Sequence, residues 1–181
     1  MDIEKNKRFY RHCIGKAYKY KEKILELNDH AIIYRFKSEY FCLDSELKRV
    51  TYYLKYKVDN NGTLGQYVWQ SLVWVDPTIQ DRYLTGIPKQ IFFDYLLPKF
   101  HTIITDSEQT FYGKRFWQQS IAMAFDKNLN VYFFDFAGRI LKKLQSIDEL
   151  ADFQNTYDIW GPAKKHEMKR MVITDKELTE K

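Results

Sequence analysis

Apolar and polar residues alternate along much of the first half of the chain, as they do in β-strands with one face on a core. Between positions 49 and 58 the even positions are all apolar or aromatic, from Val50 to Val58, and two lysines stand at odd positions. The Asp-Asn-Asn-Gly sequence that follows is typical of a tight turn. We therefore predict an antiparallel meander whose strands are residues 31–36, 40–43, 49–58 and 66–75.

The second half follows the helical period instead. Ile87, Ile91 and Tyr95 lie along one stripe of a predicted helix at 87–98, which Pro98 is expected to end. A further helix is predicted at 111–127, between predicted strands at 100–105 and 131–136. A strand, a helix and a strand in such close succession indicate a crossover between parallel strands.

The ends of the chain and its last third complete the predicted fold. Residues 1–28 are predicted as a basic N-terminal helical segment and residues 175–181 as a flexible tail. Further predicted elements are a strand at 140–144, a helix at 147–157 whose Ser146 and Glu149 match a capping box, and a strand at 171–174. The predicted fold class is α+β, an antiparallel meander continued by a strand-helix-strand crossover, in a mixed sheet flanked by helices. Residues 1–181 are predicted to form one domain.

Composition narrows the class of protein further. The 181 residues are 45% hydrophobic, as in ordinary globular domains, and 17% aromatic. Cys13 and Cys42 are too few for a disulfide framework, so both are predicted to be buried thiols. The charged start does not resemble a secretory signal, and no apolar run approaches the roughly 18 residues that span a membrane. We therefore expect a soluble, cytoplasmic protein.

Several enzyme classes leave no trace in the sequence. It has neither the Gly-x-Ser-x-Gly elbow of serine hydrolases nor a phosphate-binding P-loop. Its four histidines are scattered without a paired spacing for a metal ion, so no metal site is predicted. The net charge of +5 suits nucleic acid, acidic cofactors or acidic proteins as partners, and it equally suits solubility alone.

The best candidate site lies at positions 103–117, between a predicted strand and a predicted helix. Ligands bind at the carboxyl ends of strands in open α/β sheets, and a helix N-terminus offers unpaired N–H groups to an anion. Gly113 would let a phosphate approach the backbone, and Lys114 and Arg115 would add positive charge. The alternative interpretation is structural, with a polar residue of this turn capping the helix.

The order of a meander, a strand, a turn with glycine and basic residues, a helix and a further strand resembles the core of the GNAT acyltransferase superfamily. In that family an Arg/Gln-x-x-Gly-x-Gly/Ala turn cradles the pyrophosphate of coenzyme A. The similar turn here runs from Gln109 to Arg115 with Gly113 as its single glycine, so its spacing differs by one residue. This resemblance covers residues 49–136. Residues 69–173, with an Ile-Trp-Gly sequence near their end, also resemble GNAT-like proteins of bacteriophages and prophages.

The resemblance implies an acyl-CoA-dependent N-acyltransferase that uses acetyl-CoA or another acyl-CoA. The residues expected to bind the cofactor are then Gln109, Thr110, Gly113, Lys114 and Arg115. Acyl transfer also needs an acid or a base close to the thioester. The candidates for this catalytic role are Asp106, Glu108, Tyr112 and Asp135. Each has an ordinary structural alternative, such as a helix cap, a surface acid or a turn former.

Two other classes of function stay open. One is a non-catalytic phage or prophage protein that binds and inhibits a host defence factor, which the incomplete glycine pattern favours. The other is a nucleic-acid-binding module that uses the basic helix at 1–28 and a basic patch at 164–170, with steep salt dependence. The acceptor substrate is unknown, no membrane partner is expected, and a homodimer is compatible with the abundant aromatic residues and strand edges.

Overall fold

The structure is a computed structural model that describes residues 3–20, 22–79, 84–106, 110–157, 159–160 and 168–179. For residues 3–5, 7, 16–18 and 20 it describes the backbone alone. Within these ranges the chain has nine strands and four helices, and the sheet mixes antiparallel pairs with one parallel pair. The predicted α+β class is therefore confirmed.

The N-terminal helix is shorter than predicted. Helix α1 spans Ile3–Tyr20, and the next residues form strand β1, Lys23–Asn28, instead of extending the helix to position 28. The Asn-Asp sequence at 28–29, expected to end a helix, begins a hairpin turn. The side-chain oxygen of Asn28 accepts hydrogen bonds from the N–H groups of His30 (3.1 Å) and Ala31 (2.7 Å). Pairing with the next strand thus keeps residues 23–28 out of the predicted helix.

The predicted meander is confirmed and extended. Its strands are β2 (Ala31–Phe36), β3 (Glu39–Asp44), β4 (Arg49–Asn61) and β5 (Gly65–Val75). The predicted turn opens where Asn61 accepts a hydrogen bond from the N–H of Thr63 (2.8 Å). Gly65 then takes a positive φ of 67°, a conformation that residues with a Cβ rarely adopt.

Helix α2 covers residues 87–100 and passes through the proline that was expected to end it. It consists of an α-helical turn (Ile87–Gln90), a π-helical segment (Ile91–Leu96) and a second α-helical turn (Leu97–Phe100). Pro98 has no N–H to donate, and Leu97 before it donates to the carbonyl oxygen of Phe92, five residues back. The wider turn accommodates the proline, and His101 with a positive φ of 64° ends the helix.

The predicted crossover is present, with one strand inserted into it. Strand β6 (Thr102–Ile104), helix α3 (Phe111–Asp126) and strand β7 (Asn130–Asp135) follow one another. Strands β6 and β7 point the same way but are not neighbours, because β9 (Lys169–Thr174) lies between them and is antiparallel to both. The parallel neighbour of β6 is β5, through the pairs Val68–Ile103 and Trp69–Ile104.

The last third of the chain is more ordered than predicted. Strand β8 (Ile140–Leu144) pairs with β7 as expected, and helix α4 is Glu149–Tyr157. The Glu149 carboxylate accepts from the N–H of Gln145 (2.8 Å), so it reaches one residue beyond the predicted capping box. Residues 175–179 are not a free tail, since the N–H of Leu178 donates to the hydroxyl of Tyr132 (3.0 Å).

The strands are hydrogen-bonded in the order β1-β2-β3-β4-β5-β6-β9-β7-β8. The chain divides into two compact units: unit 1 comprises residues 1–57 and 70–87, and unit 2 comprises residues 58–69 and 88–181. One domain over residues 1–181 stays a prediction.

In unit 1, α1 packs on β2 and β3 around a core that includes Tyr10, Cys13 and Phe41. Cys13 and Cys42 are both buried thiols, as predicted. Burial raises the pKa of Cys42 to about 11, so this thiol stays protonated at neutral pH.

Unit 2 has a core of its own on the sheet face that carries Ile104, Phe134 and Val172. These three side chains come from β6, β7 and β9. Among the helices described in either unit, none has both the length and the apolar character needed to cross a membrane.

Candidate functional site

A pocket of about 190 Å³ opens in unit 2, beside this core face. Its walls come from the outer parts of the β4–β5 hairpin, from β6, from the turn after β7, and from the start of β9. The lining residues are Asp59, Tyr67, Trp69, Ile104, Phe136, Met168 and Arg170. The pocket therefore combines an aromatic and apolar lining with one acidic and one basic side chain, the mixture typical of ligand sites.

Strand alternation explains which residues reach this pocket. Tyr67 and Trp69 stand two positions apart on β5, so their side chains leave the same face of the strand. Arg170 and Val172 have the same relation on β9, where Arg170 pairs with Phe134 of β7. The face that buries the aromatic core of unit 2 is thus continued at the pocket by Trp69 and Arg170.

Contacts between its lining residues fix the shape of the pocket. The indole N–H of Trp69 donates to the carboxylate of Asp59 at 2.7 Å. The ring of Phe136 packs edge to face against the ring of Tyr67, with 6.1 Å between the centroids. The backbone N–H of Phe136 donates a hydrogen bond to the carbonyl oxygen of Met168 (2.8 Å). These contacts hold the aromatic walls in place before any ligand arrives, and such preorganisation favours binding.

Asp106 lies just beyond β6, two residues after Ile104 of the pocket lining. Its carboxylate accepts a hydrogen bond of 2.6 Å from the indole N–H of Trp117, a buried residue of α3. Burial raises the pKa of Asp106 above its ordinary value, while the Trp117 hydrogen bond and the charge of Arg170 partly oppose the rise. A carboxylate with a raised pKa is a stronger proton acceptor than an ordinary surface aspartate.

The positive charge of Arg170 acts both on this carboxylate and on a residue that lines the pocket. Burial raises the pKa of Tyr67, and the charge of Asp59 raises it further, whereas the positive charge of Arg170 lowers it. The same positive charge also lowers the pKa of Asp106. Asp106, Arg170 and the pocket are therefore parts of one local electrostatic environment.

The turn between β6 and α3 is closed by its own helix cap. The hydroxyl oxygen of Thr110 accepts a hydrogen bond from the N–H of Gly113 (3.1 Å), and the N–H of Lys114 donates to the Thr110 carbonyl (2.9 Å). Thr110 is thus the N-cap that the structural interpretation expected of this turn. The Gly113 amide, expected to face a phosphate, is already hydrogen-bonded, which leaves the N–H groups of Phe111 and Tyr112 without an acceptor inside the helix.

The other predicted site residues occupy different surroundings. Tyr112 is 79% exposed and stacks edge to face on Phe111, which is 75% exposed. Lys114 is partly buried and Arg115 is exposed on α3. Glu108 and Gln109 lie outside the described residues. In the described part of the site, the structure therefore groups Thr110, Gly113 and Lys114 at one helix end and Asp106 with Arg170.

Asp135 has the structural role of a turn former. Its carboxylate accepts hydrogen bonds from the N–H groups of Ala137 (2.9 Å) and Gly138 (3.3 Å), which closes the turn between β7 and β8. It is not among the residues that line the pocket. Its proposed catalytic role stays a prediction without support from these contacts.

Sequence reasoning missed the pocket residues Asp59, Tyr67 and Arg170. Asp59 was assigned to a turn, and Arg170 to a basic patch preceding the last strand. The alternation of β5 was a usable signal, because it places Tyr67 and Trp69 on one face. No signal in the sequence could place Arg170 there, because its position depends on where β9 enters the sheet.

Comparisons with known proteins add no relative to this picture. No family model matches the chain, and neither the curated proteins nor the solved structures contain a match to it. The assignment of function therefore depends on the geometry of the site.

Proposed function

We propose that this chain is an acyl-CoA-dependent N-acyltransferase in which Asp106 acts as the general base. The observation that carries the proposal is the position of Asp106, whose carboxylate has a raised pKa and follows the carboxyl end of β6. Strand β6 pairs with β5, and among the described strands this is the one parallel pair. Ligands in open α/β sheets bind at such strand ends. The inserted strand β9 brings Arg170 close to this carboxylate.

The proposed chemistry is the transfer of an acyl group from a thioester to an amine. The amine nitrogen attacks the thioester carbonyl, a carbon–nitrogen bond forms, and the carbon–sulfur bond breaks. Asp106 takes the proton that the amine loses, and the thiolate of coenzyme A leaves and is protonated by solvent. Since a base works best with a pKa close to the working pH, the raised pKa of Asp106 suits this role.

The pocket is proposed to hold the acceptor side of the reaction. Its volume of about 190 Å³ is below the volume of roughly 300–1,000 Å³ of pockets that enclose drug-sized ligands, so it suits a small amine or a single amine-bearing side chain. The cofactor phosphates are proposed to lie at the start of α3, near the amides of Phe111 and Tyr112. Lys114 and Arg115 supply positive charge on the first turns of the same helix.

A thermal-shift titration with acetyl-CoA and with free coenzyme A tests the proposal first. A ligand that binds only the folded state raises the melting temperature, by an amount that grows with ligand concentration. The double variant Lys114→Glu/Arg115→Glu is expected to lose this stabilisation. The matched control is Lys127→Glu/Lys176→Glu, which changes the net charge equally at exposed positions. The absence of any shift at millimolar ligand would exclude a coenzyme A-dependent enzyme.

One observation favours a second candidate function, a protein that binds a partner without catalysis. Phe111 and Tyr112 expose neighbouring aromatic rings, and such residues are enriched in protein interfaces. The N–H of Gly113 is also used by Thr110 instead of facing an open cradle. If coenzyme A does not bind, Phe111→Ser/Tyr112→Ser is the variant to compare with the wild type in partner capture. Loss of a captured protein in this variant alone would support the second function.

A further inference from the structure

Helix α1 presents two different faces in unit 1. Asn6, Tyr10 and Cys13 recur at helical spacing and are buried. On the opposite side, the exposed side chains recur at the same spacing and are mainly basic: Arg8, Arg11, His12 and Lys19. A basic face on one helix is common on protein surfaces, and it indicates a partner only when a second property sets it apart.

The distribution of charge provides that second property. Six of the 29 Lys and Arg residues and one of the 24 acidic residues lie within Ile3–Tyr20. The rest of the chain therefore carries 23 residues of each sign and has no net charge. The entire formal charge of +5 belongs to α1. A local excess of positive charge of this kind attracts polyanions.

The buried face shows which polyanion suits the helix. An amphipathic helix binds a lipid surface by inserting its apolar face between the head groups. Here that face is already used, because Tyr10 and Cys13 pack in the core with Phe41 and Val50. Asn6 also donates to the carbonyl oxygen of Val50 (3.1 Å), so insertion into a membrane would break the core of unit 1.

We propose that the exposed face of α1 binds the phosphate backbone of nucleic-acid duplexes through Arg8 and Arg11. The helix has 18 residues, so it extends about 27 Å at 1.5 Å per residue. A duplex carries one charge per about 1.7 Å, and several phosphates face the helix at once. Guanidinium groups suit this task because they donate two parallel hydrogen bonds to a phosphate.

The packing of α1 also bears on whether the proposed contact depends on base sequence. Base edges are reached by a helix that enters the major groove. One side of α1 is fixed to β2 and β3, and the contacts proposed for its exposed side join Arg8 and Arg11 to phosphates, which carry no sequence information. The binding is therefore electrostatic and independent of base sequence, and it weakens steeply with salt.

The test is a fluorescence-anisotropy titration of the full chain with DNA and RNA duplexes of about 20 base pairs, between about 50 and 200 mM salt. The wild type is expected to bind duplexes of unrelated sequence alike. The variant Arg8→Ala/Arg11→Ala is expected to lose about tenfold or more in affinity at low salt. Its slope of log affinity against log salt should fall by about two, one for each lost phosphate contact.

A matched control separates a local contact from a change in overall charge. Lys127→Ala/Lys176→Ala removes the same charge at exposed positions outside α1 and should leave the slope unchanged. Equal losses in both double variants, no binding at about 50 mM salt, or a strong base preference would overturn the proposal. Binding to vesicles of anionic lipid without binding to duplexes would overturn it in favour of a membrane surface. Arg8→Gln/Arg11→Gln repeats the test if the alanine variant lowers the melting temperature.

Discussion

In each unit of this protein, a polar side chain forms a hydrogen bond that joins a helix to a strand or to the residues just after it. The two side chains differ in their chemistry. In unit 1, the amide of Asn6 donates to the carbonyl oxygen of Val50 and accepts from the N–H of Val50 at 3.2 Å. It also donates to the Asp76 carboxylate at 3.3 Å. In unit 2, Asp106 accepts from Trp117 at 2.6 Å.

The two side chains show how a structural polar group differs from a candidate functional one. Asn6 is neutral, buried, and hydrogen-bonded at both ends of its amide, so it has no chemistry to offer. Asp106 is ionisable, only partly buried, and lies close to a pocket and to the charge of Arg170. An ionisable group with a shifted pKa, close to residues that line a cavity, is a candidate for function.

The largest expected effect concerns the chemistry assigned to Asp106. In the proposed acyl transfer, Asp106→Asn should lower kcat by about 1,000-fold, since general base catalysis contributes about 10² to 10⁴. Binding of acetyl-CoA should change little. The rate is measured by thiol release with a panel of amines, once an acceptor is found. A variant with unchanged kcat would show that Asp106, like Asn6, is only structural.

The next effect concerns Asn6. Asn6→Leu keeps the size of the side chain but leaves the N–H and carbonyl of Val50 unpaired in a buried place. We expect a loss of about 2–3 kcal/mol in the free energy of unfolding, measured by urea denaturation. The same change at the exposed Asn155 of helix α4 should cost less than about 0.5 kcal/mol. Similar losses at both positions would mean that the amide contacts are not what stabilises unit 1.

A smaller effect is expected from the bond between Trp117 and Asp106. Trp117→Phe removes the donor and some ring volume, so a double-mutant cycle with Asp106→Leu, which removes the acceptor, is needed to isolate the bond. We expect a coupling free energy of about 1 kcal/mol in the unfolding of the four proteins. Additive losses would mean that the two side chains are neighbours without a stabilising interaction. The hydrogen bond of Asp106 would then not be comparable with the stabilising hydrogen bonds of Asn6.

The smallest effect is on pH dependence. Since the pKa of Asp106 is raised in the folded state, folding favours its protonated form, and this contribution is fully present below the unfolded pKa of about 3.9. It is lost as the pH rises through the folded pKa, because the native state then releases its extra proton. Asp106→Asn should remove this decline, so the stability of the variant relative to the wild type should rise with pH above about 4. Urea titrations across the pH range measure it, and parallel profiles for both proteins would contradict it.

Local rules account for the parts of the fold that were predicted correctly. The alternation in β4 and β5, the turn between them, and the periodicity of α3 each depend on residues within a few positions of one another. Two local predictions were wrong where a distant partner intervened. Strand β1 pairs with β2 instead of extending the predicted helix to position 28, and Leu178 in the predicted tail hydrogen-bonds to Tyr132.

The candidate site also has one part that the sequence predicted and one part that it did not. The turn at 106–115 was found because a strand, polar residues and a helix follow each other in the sequence. A polar residue of this turn as a helix cap was also predicted as the structural alternative, and the contact of Thr110 with Gly113 shows which residue it is. The pocket lined by Ile104 and Arg170 was not predicted, because its walls come from four separate segments of the chain.

Sequence patterns were enough to predict the α+β class, the meander and the helix after β6, and the concentration of positive charge in the first twenty residues is visible there too. The entry of β9 into the sheet between β6 and β7 is visible only in the folded chain, and it brings Arg170 near Asp106 and Trp69. The physical reason is the range of the interactions. Strand periodicity and turn chemistry act between neighbours in sequence, whereas the strand order is set by burying several apolar faces at once.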